Sequence, residues 1–208
     1  MSLGHSWELT INTGDLERSL AFYDSLGFRR VSGSRITDGL FTLSFVSGAT
    51  PHSRVTYLSE SGASSLRDPG GLEIEVAAAP LSEAAEKEPL SRCGRFGEMS
   101  ILAPDLKASE EFWTGLGFQV TLRPKAANTF LSLTDGVLSI GLYRREVCPH
   151  VFSSPAITYF EDDMAERVRG LKRDGFKFVQ ELPGRDGAIE HGIAQGPEGQ
   201  MLFLFATE

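Results

Sequence analysis

Histidine and cysteine are scarce in this 208-residue chain, which has four of the first and two of the second. Two cysteines, Cys93 and Cys148, make no disulfide framework, and neither has a CxxC partner. No apolar run approaches the ~20 residues of a membrane span, and residues 1–7 carry no signal-peptide pattern. Positive charge is also in deficit: 20 Lys+Arg stand against 28 Asp+Glu, a net charge of −8. A nucleic-acid footprint is therefore missing, and a cationic or neutral small partner suits the chain better than an anionic membrane. HExxH, GxSxG, Walker and GxGxxG motifs do not occur. The expectation is a cytoplasmic protein. Its share of hydrophobic residues, 41% against 23% charged, is enough to build a core.

What the sequence does contain is a repeat. DLERSLAFYDSLGF, starting at Asp15, lies over DLKASEEFWTGLGF, starting at Asp105, without a gap. A weaker third copy runs from Asp163 to Phe176 with the same Asp-to-Phe spacing. In each copy an Asp is placed to cap a helix, and Gly27, Gly117 or Gly175 stands where a helix ends in a left-handed residue. Leu16, Leu20 and Tyr23 recur at helical spacing, as do Leu106, Ser109, Trp113 and Leu116. Alternating strands precede the helices, and Thr37-Asp38-Gly39 and Thr134-Asp135-Gly136 read as tight type I′ hairpin turns. The unit is βαβββ. The third copy completes it with strands expected over 156–161, 176–181, 188–194 and 200–206.

The chain between the first two copies is abbreviated. Arg54-Val55-Thr56-Tyr57 aligns with Ala156-Ile157-Thr158-Tyr159, and the Asp68-Pro69-Gly70-Gly71 turn with Gly196-Pro197-Glu198-Gly199. A Ser/Gly-rich loop over 59–67 replaces the helix and two strands expected between those segments. The domains are thus a shortened unit over 1–80 (one βαβββ module plus two strands), a linker over 81–93, and a complete unit of two modules over 94–208. Strand edges left by the missing elements would need cover from the other unit or from a second subunit, which would make a homodimer.

These features resemble the glyoxalase/bleomycin-resistance/extradiol-dioxygenase superfamily, also called vicinal oxygen chelate proteins. The carriers are the two helix motifs and the late DPGGLEIEV. The resemblance implies an α+β fold of repeated βαβββ modules in curved mixed sheets that form a cup for a small molecule. It does not choose the reaction. It also implies divalent-metal ligands on the first strand of each module, seven residues before the helix-start Asp, and seven residues after the Asp of the DPDG-type turn. Those columns hold Glu8, Arg54 and Glu75 in the N-terminal unit, and Glu98, Ala156 and Phe203 in the C-terminal one. One carboxylate, a methyl and a benzyl group do not make a metal site, and a guanidinium does not coordinate. No metal or other cofactor is therefore expected.

Three functions follow, of which one is a degenerate domain whose shortened N-terminal unit is only an interaction surface; the other two involve a small molecule. One is a lyase- or isomerase-like enzyme in which Glu98, Glu8 or Glu75 moves a proton. The other is a metal-free protein that sequesters a drug or other ligand, cationic or aromatic, as bleomycin-resistance members do. Trp113, Tyr143, Tyr159 and Phe203 are the candidate aromatic walls, and His191 a candidate donor. In the N-terminal unit, Arg54 is expected between Glu8 and Glu75 as a structural charge cluster.

Overall fold

The computed structural model describes residues 2–60, 62–79, 89–124 and 129–207. The chain forms β1 (Ser6–Thr13), α1 (Leu16–Ser25), β2 (Arg29–Ser32), β3 (Arg35–Thr37), β4 (Thr42–Ser47), β5 (Ser53–Ser59), β6 (Ser64–Arg67) and β7 (Glu73–Ala78). Then follow β8 (Arg95–Leu102), α2 (Leu106–Gly115), β9 (Gln119–Leu122), β10 (Phe130–Thr134), β11 (Ser139–Tyr143) and a single 3-10 turn, Arg145–Val147. The chain ends with β12 (Ala156–Glu161), α3 (Met164–Arg173), β13 (Gln180–Pro183), β14 (Ile189–Gln195) and β15 (Met201–Ala206). The fold is α+β, with repeated βαβββ modules. The first seven strands form one open sheet, ordered β2-β3-β4-β1-β5-β7-β6. The other eight form a second, ordered β13-β14-β15-β12-β8-β11-β10-β9. In each, first and last strands of a module pair in parallel, and two modules join through an antiparallel pair, β1 with β5 and β8 with β12.

The local chemistry of the repeat explains the helices. Asp15 and Asp105 accept from the backbone N–H groups of Arg18 and Ala108 at 3.1 and 3.0 Å, satisfying a free donor at each helix start. Asp163 does not cap α3, because its carboxylate is drawn instead to Arg167 Nε at 2.6 Å, one turn on. Gly27, Gly117 and Gly175 follow the helices at φ 85, 98 and 86°, a region closed to most side chains.

Three expectations need correction. The 59–67 segment is not all loop: β6 forms within it and pairs antiparallel with β7, so three strands accompany the first module. The strand expected at 176–181 begins only at Gln180, since Phe176 and Phe178 pack on each other and on the core. The Asp-Gly turns are longer than type I′. Asp38 accepts from Leu40 N and Phe41 N, and Asp135 from Val137 N and Leu138 N, which closes loops 38–41 and 135–138. Of the expected linker, 81–88 lies outside the described residues. Its end is bonded to the N-terminal half, with Leu90 N donating to Asp38 O and Arg92 N to Leu26 O, and Cys93 is fully buried.

One apolar core joins the halves. Trp7, Leu9 and Ile11 of β1 belong to the same cluster as Met99 and Ile101 of β8, with Tyr23 of α1 and Trp113 of α2. Buried phenols tie it reciprocally. Tyr57 of β5 donates to Asp135 Oδ2 at 2.9 Å, and Tyr159 of β12 donates to Asp38 Oδ2 at 3.0 Å. The late turns cross over in the same way. Glu198 accepts from Tyr23 OH and Ser19 Oγ of α1, at 2.7 and 2.9 Å. Asp68 faces Trp113 of α2, whose indole offsets part of the burial that raises this carboxyl's pKa, although neither Nε1 nor Oδ2 completes a hydrogen bond of normal geometry.

Burial raises Asp38 to a pKa of about 6, against the opposing pull of the Leu40 and Phe41 N–H groups and Tyr159. Its folded pKa thus lies above the unfolded value, and its stabilisation is complete below about pH 4 and lost as pH rises through 6. Asp38→Asn is therefore expected to gain on the wild type by roughly 2–3 kcal/mol between pH 4 and 7, read from urea unfolding at each pH. A pH-independent difference between the two proteins would contradict this.

Candidate functional site

With one face of each sheet committed to the core, the opposite faces carry the chemistry. In the C-terminal sheet, Glu98 lies opposite Thr158, and Thr158 opposite Phe203. Ser100 lies opposite Ala156 on one side and Gly141 on the other, and Gly141 opposite Ser132. Directly paired residues share a face, so Glu98, Ala156 and Phe203 stand together. The N-terminal sheet repeats this register. Glu8 lies opposite Thr56 and Thr56 opposite Glu75, while Thr10 lies opposite Arg54 and Ser44, and Ser44 opposite Arg35. Even the central hydroxyl pair recurs, Thr10 with Thr56 at 3.2 Å and Ser100 with Thr158 at 2.6 Å.

The two faces differ in how they hold their first-strand carboxylate. Arg35 forms an ion pair with Glu8. The equivalent position beside Glu98 is Ser132, and the groups bonded to Glu98 are all uncharged hydroxyls. Tyr143 OH donates to Oε1 at 2.6 Å, Ser100 Oγ to Oε1 at 3.2 Å, and Ser132 Oγ to Oε2 at 3.1 Å. Glu98 is 5% exposed. Burial raises its pKa, and the Tyr143, Ser132 and Ser100 hydroxyls pull in the other direction. Burial, followed by the Glu98 charge, also pushes the Tyr143 hydroxyl up. The carboxylate has room because residue 141 is glycine: a Cβ there would collide with Glu98 Oε1 and the Tyr143 ring.

Beyond the hydroxyls on Glu98 the face is apolar. Phe152, Ala156, Ile193, Met201 and Phe203 form a cluster separate from the main core, with Tyr143 and Phe205 packed on it. Phe130 stacks on Tyr143 at 5.3 Å. His191 sits at the edge, its ring 5.5 Å from Phe205 and its Nδ1 accepting from Ala206 N at 3.1 Å. Two expected walls are elsewhere. Trp113 is fully buried in the main core on α2, and Tyr159 lies on the core face with its hydroxyl on Asp38. Tyr159 follows Thr158, so strand alternation alone turns it away from Glu98.

The N-terminal charge cluster also differs from expectation. Arg54 Nε donates to Glu75 Oε2 at 2.9 Å, but the ion pair of Glu8 is with Arg35, which reaches it from β3. Glu73 pairs with His52 Nε2 at 2.9 Å and with Arg67. A groove of about 460 Å³ runs along this face past Arg54, Ser65, Glu73 and Glu75. Arg35, Ser100, Ser132, Gly141 and Phe152 were not singled out from sequence. Ser100 could have been, two residues beyond Glu98 on the same strand; the others depend on strand register or on a loop without periodicity.

The donor sets do not fit a divalent metal. At the C-terminal columns Glu98 already accepts three hydroxyl bonds, and its companions are a methyl and a buried phenyl. The N-terminal columns include a guanidinium. Among the described residues no three His, Cys, Asp or Glu side chains converge as a metal site.

The chain has the fold of extradiol and catechol dioxygenases, members of the vicinal oxygen chelate superfamily. It is similar over 99% of its length, at 15% identity and a TM-score of 0.63, to 71% of the E323L mutant of homoprotocatechuate 2,3-dioxygenase from Brevibacterium fuscum. It is similar over its full length to 87% of BphC, a halotolerant catechol dioxygenase, at 12% identity and a TM-score of 0.64. A catechol 2,3-dioxygenase matches over 93% of its own chain at 12% identity and a TM-score of 0.61. No family model and no curated protein matches the sequence. Among the described residues, no helix is long and apolar enough to cross a membrane.

Arg54 and Glu75 have side chains 30% and 44% exposed. Such a pair is largely screened, so Arg54→Ala is expected to cost at most about 1 kcal/mol in urea unfolding of the full chain. A loss of about 3 kcal/mol or more would show a desolvated cluster instead.

Proposed function

We propose that this chain is a metal-independent member of the vicinal oxygen chelate superfamily that binds a small organic cation on the Glu98 face. The observation that carries this reading is the contrast between the halves. Glu8 has a guanidinium beside it, whereas Glu98, at the same place in the fold, is buried among hydroxyls and aromatic rings. An arriving ammonium would supply the missing positive charge, and Tyr143, Phe130 and Phe203 offer ring surface on which a cation is also favoured. A few polar anchors in an apolar setting is the usual composition of a ligand site. The metal-free sequestering proteins of the bleomycin-resistance type are the functional class this suits.

A second reading, a lyase or isomerase, rests on the raised pKa of Glu98. A carboxyl displaced upward is a better proton acceptor near neutral pH, and the same carboxyl can return the proton it takes. Binding precedes catalysis in either case, so binding is the property to test first.

Phenethylammonium, benzyl alcohol and benzoate, titrated calorimetrically into the full chain, separate charge from ring. The ammonium is expected to bind most tightly, and Glu98→Gln to weaken it by about 10–100-fold, the worth of one charge-assisted bond. Glu8→Gln, on the compensated face, is expected to leave it unchanged. Equal affinity for all three compounds, or indifference to Glu98→Gln, would refute the proposal.

A further inference from the structure

Between β11 and β12 the chain leaves the sheet and returns across the Glu98 face. Residues 144–154 are exposed or half-buried with one exception, Phe152. Its neighbour Val151 is 47% exposed, so nothing in the local chain requires this phenyl to be inside. The ring lies edge-on 5.0 Å from Phe203 and 6.2 Å from Tyr143. Tyr143 is the link to the chemistry, because the phenol whose ring meets Phe152 donates its hydroxyl to Glu98. The Phe152 ring therefore stands about one phenol away from the carboxylate, in an apolar slot walled by the sheet and, from the same loop, by the His150 ring at 6.0 Å.

The polar ties of the loop are of a kind that can be exchanged for water. Arg145 Nη1 donates to Phe152 O at 2.8 Å, within the loop itself, and Val151 N donates to the side chain of Gln180 at 2.9 Å. Ser154 Oγ, accepting from Leu102 N at 3.1 Å, marks the end nearest β12. The segment is thus fastened over the face by the buried Phe152 phenyl, with the half-buried His150 ring 4.9 Å from Phe203 and Cys148 packed on the same cluster beside it. One buried side chain on a loop otherwise exposed or half-buried is what a displaceable plug requires.

We infer that Phe152 fills the ring subsite of the Glu98 site, and that an arylalkylammonium ligand binds by displacing it. The ligand's ring takes the slot against Phe203 and Tyr143, its ammonium reaches Glu98, and residues 144–154 swing outward. The inference rests on Glu98 being the cation anchor and adds the shape of the ligand: one aromatic ring, with the charge a few bonds away. Ligand and Phe152 compete for one volume, so the measured affinity is reduced by the fraction of molecules in which the loop is open.

Removing the plug should therefore improve binding. Calorimetric titration of the full chain with phenethylammonium is expected to show Phe152→Ala about tenfold tighter than wild type or better, the gain that lifting a closed-state bias allows. Phe152→Leu keeps an apolar anchor; it is expected to change affinity in the same sense by less, and it serves if the alanine variant does not fold. Adding Glu98→Gln to either variant is expected to abolish the gain. Unchanged or weaker binding in the Phe152 variants, with wild-type binding intact, would make Phe152 a fixed wall and overturn the inference without touching the role of Glu98. A gain shared by toluene that survives Glu98→Gln would be a general apolar cavity and overturn it as well. Binding to none of the proteins would overturn the Glu98 reading itself.

Discussion

Tyr57 and Tyr159 place hydroxyl groups inside a hydrocarbon core, where each must find an acceptor or cost the structure its desolvation. Each finds it on a loop of the other half, at Asp135 and Asp38. That reciprocity fixes how the two sheets meet, and the rest of the molecule follows from it. The Asp side chains also close the loops they belong to through backbone N–H groups, so hairpin geometry and the contact between halves are set by the same atoms. The neighbouring turns repeat the exchange, with Glu198 bonded to α1 and Asp68 facing Trp113 of α2.

Committing one face of each sheet to this shared core leaves the other two faces free to diverge. They retain the same framework: a first-strand Glu, a central hydroxyl pair, and the same pairing register. On the N-terminal face, Arg35 and Arg54 answer Glu8 and Glu75, giving a surface of paired charges. On the C-terminal face the corresponding positions are Ser132 and Ala156 for the arginines and Phe203 for the second carboxylate. One half has balanced its charges internally. The other keeps a single buried carboxylate in an aromatic setting, an arrangement whose electrostatic cost is met by hydroxyl bonds alone.

Much of the fold was legible because it is repeated. Asp and Gly at fixed offsets bracket α1 and α2, and a count of seven residues from each helix start and each late turn puts Glu8 with Glu98 and Glu75 with Phe203, the register the sheets adopt. What failed was decided by longer-range partners. Asp163 caps nothing because Arg167 competes for it. The 64–67 segment becomes strand β6 because β7 offers it an edge. Trp113 has the residue type of a ligand wall, yet its position on α2 buries it in the main core. Arg35 reaches Glu8 only through pairing of β3 with β4 and of β4 with β1, a relation no local pattern encodes. Phe152 lies in a loop without period or turn signal, so its burial could be seen only in three dimensions.

The fold shared with catechol dioxygenases, set beside the divalent metal that the family resemblance implies, makes one competition decisive. Crystals of the full chain grown with both Mn(II) and phenethylammonium would place the two kinds of cation against the same carboxylate. The expected structure has the ammonium nitrogen within hydrogen-bonding distance of Glu98 and no metal ion on that residue. A manganese ion coordinated by Glu98, with the organic cation elsewhere or absent, would contradict it.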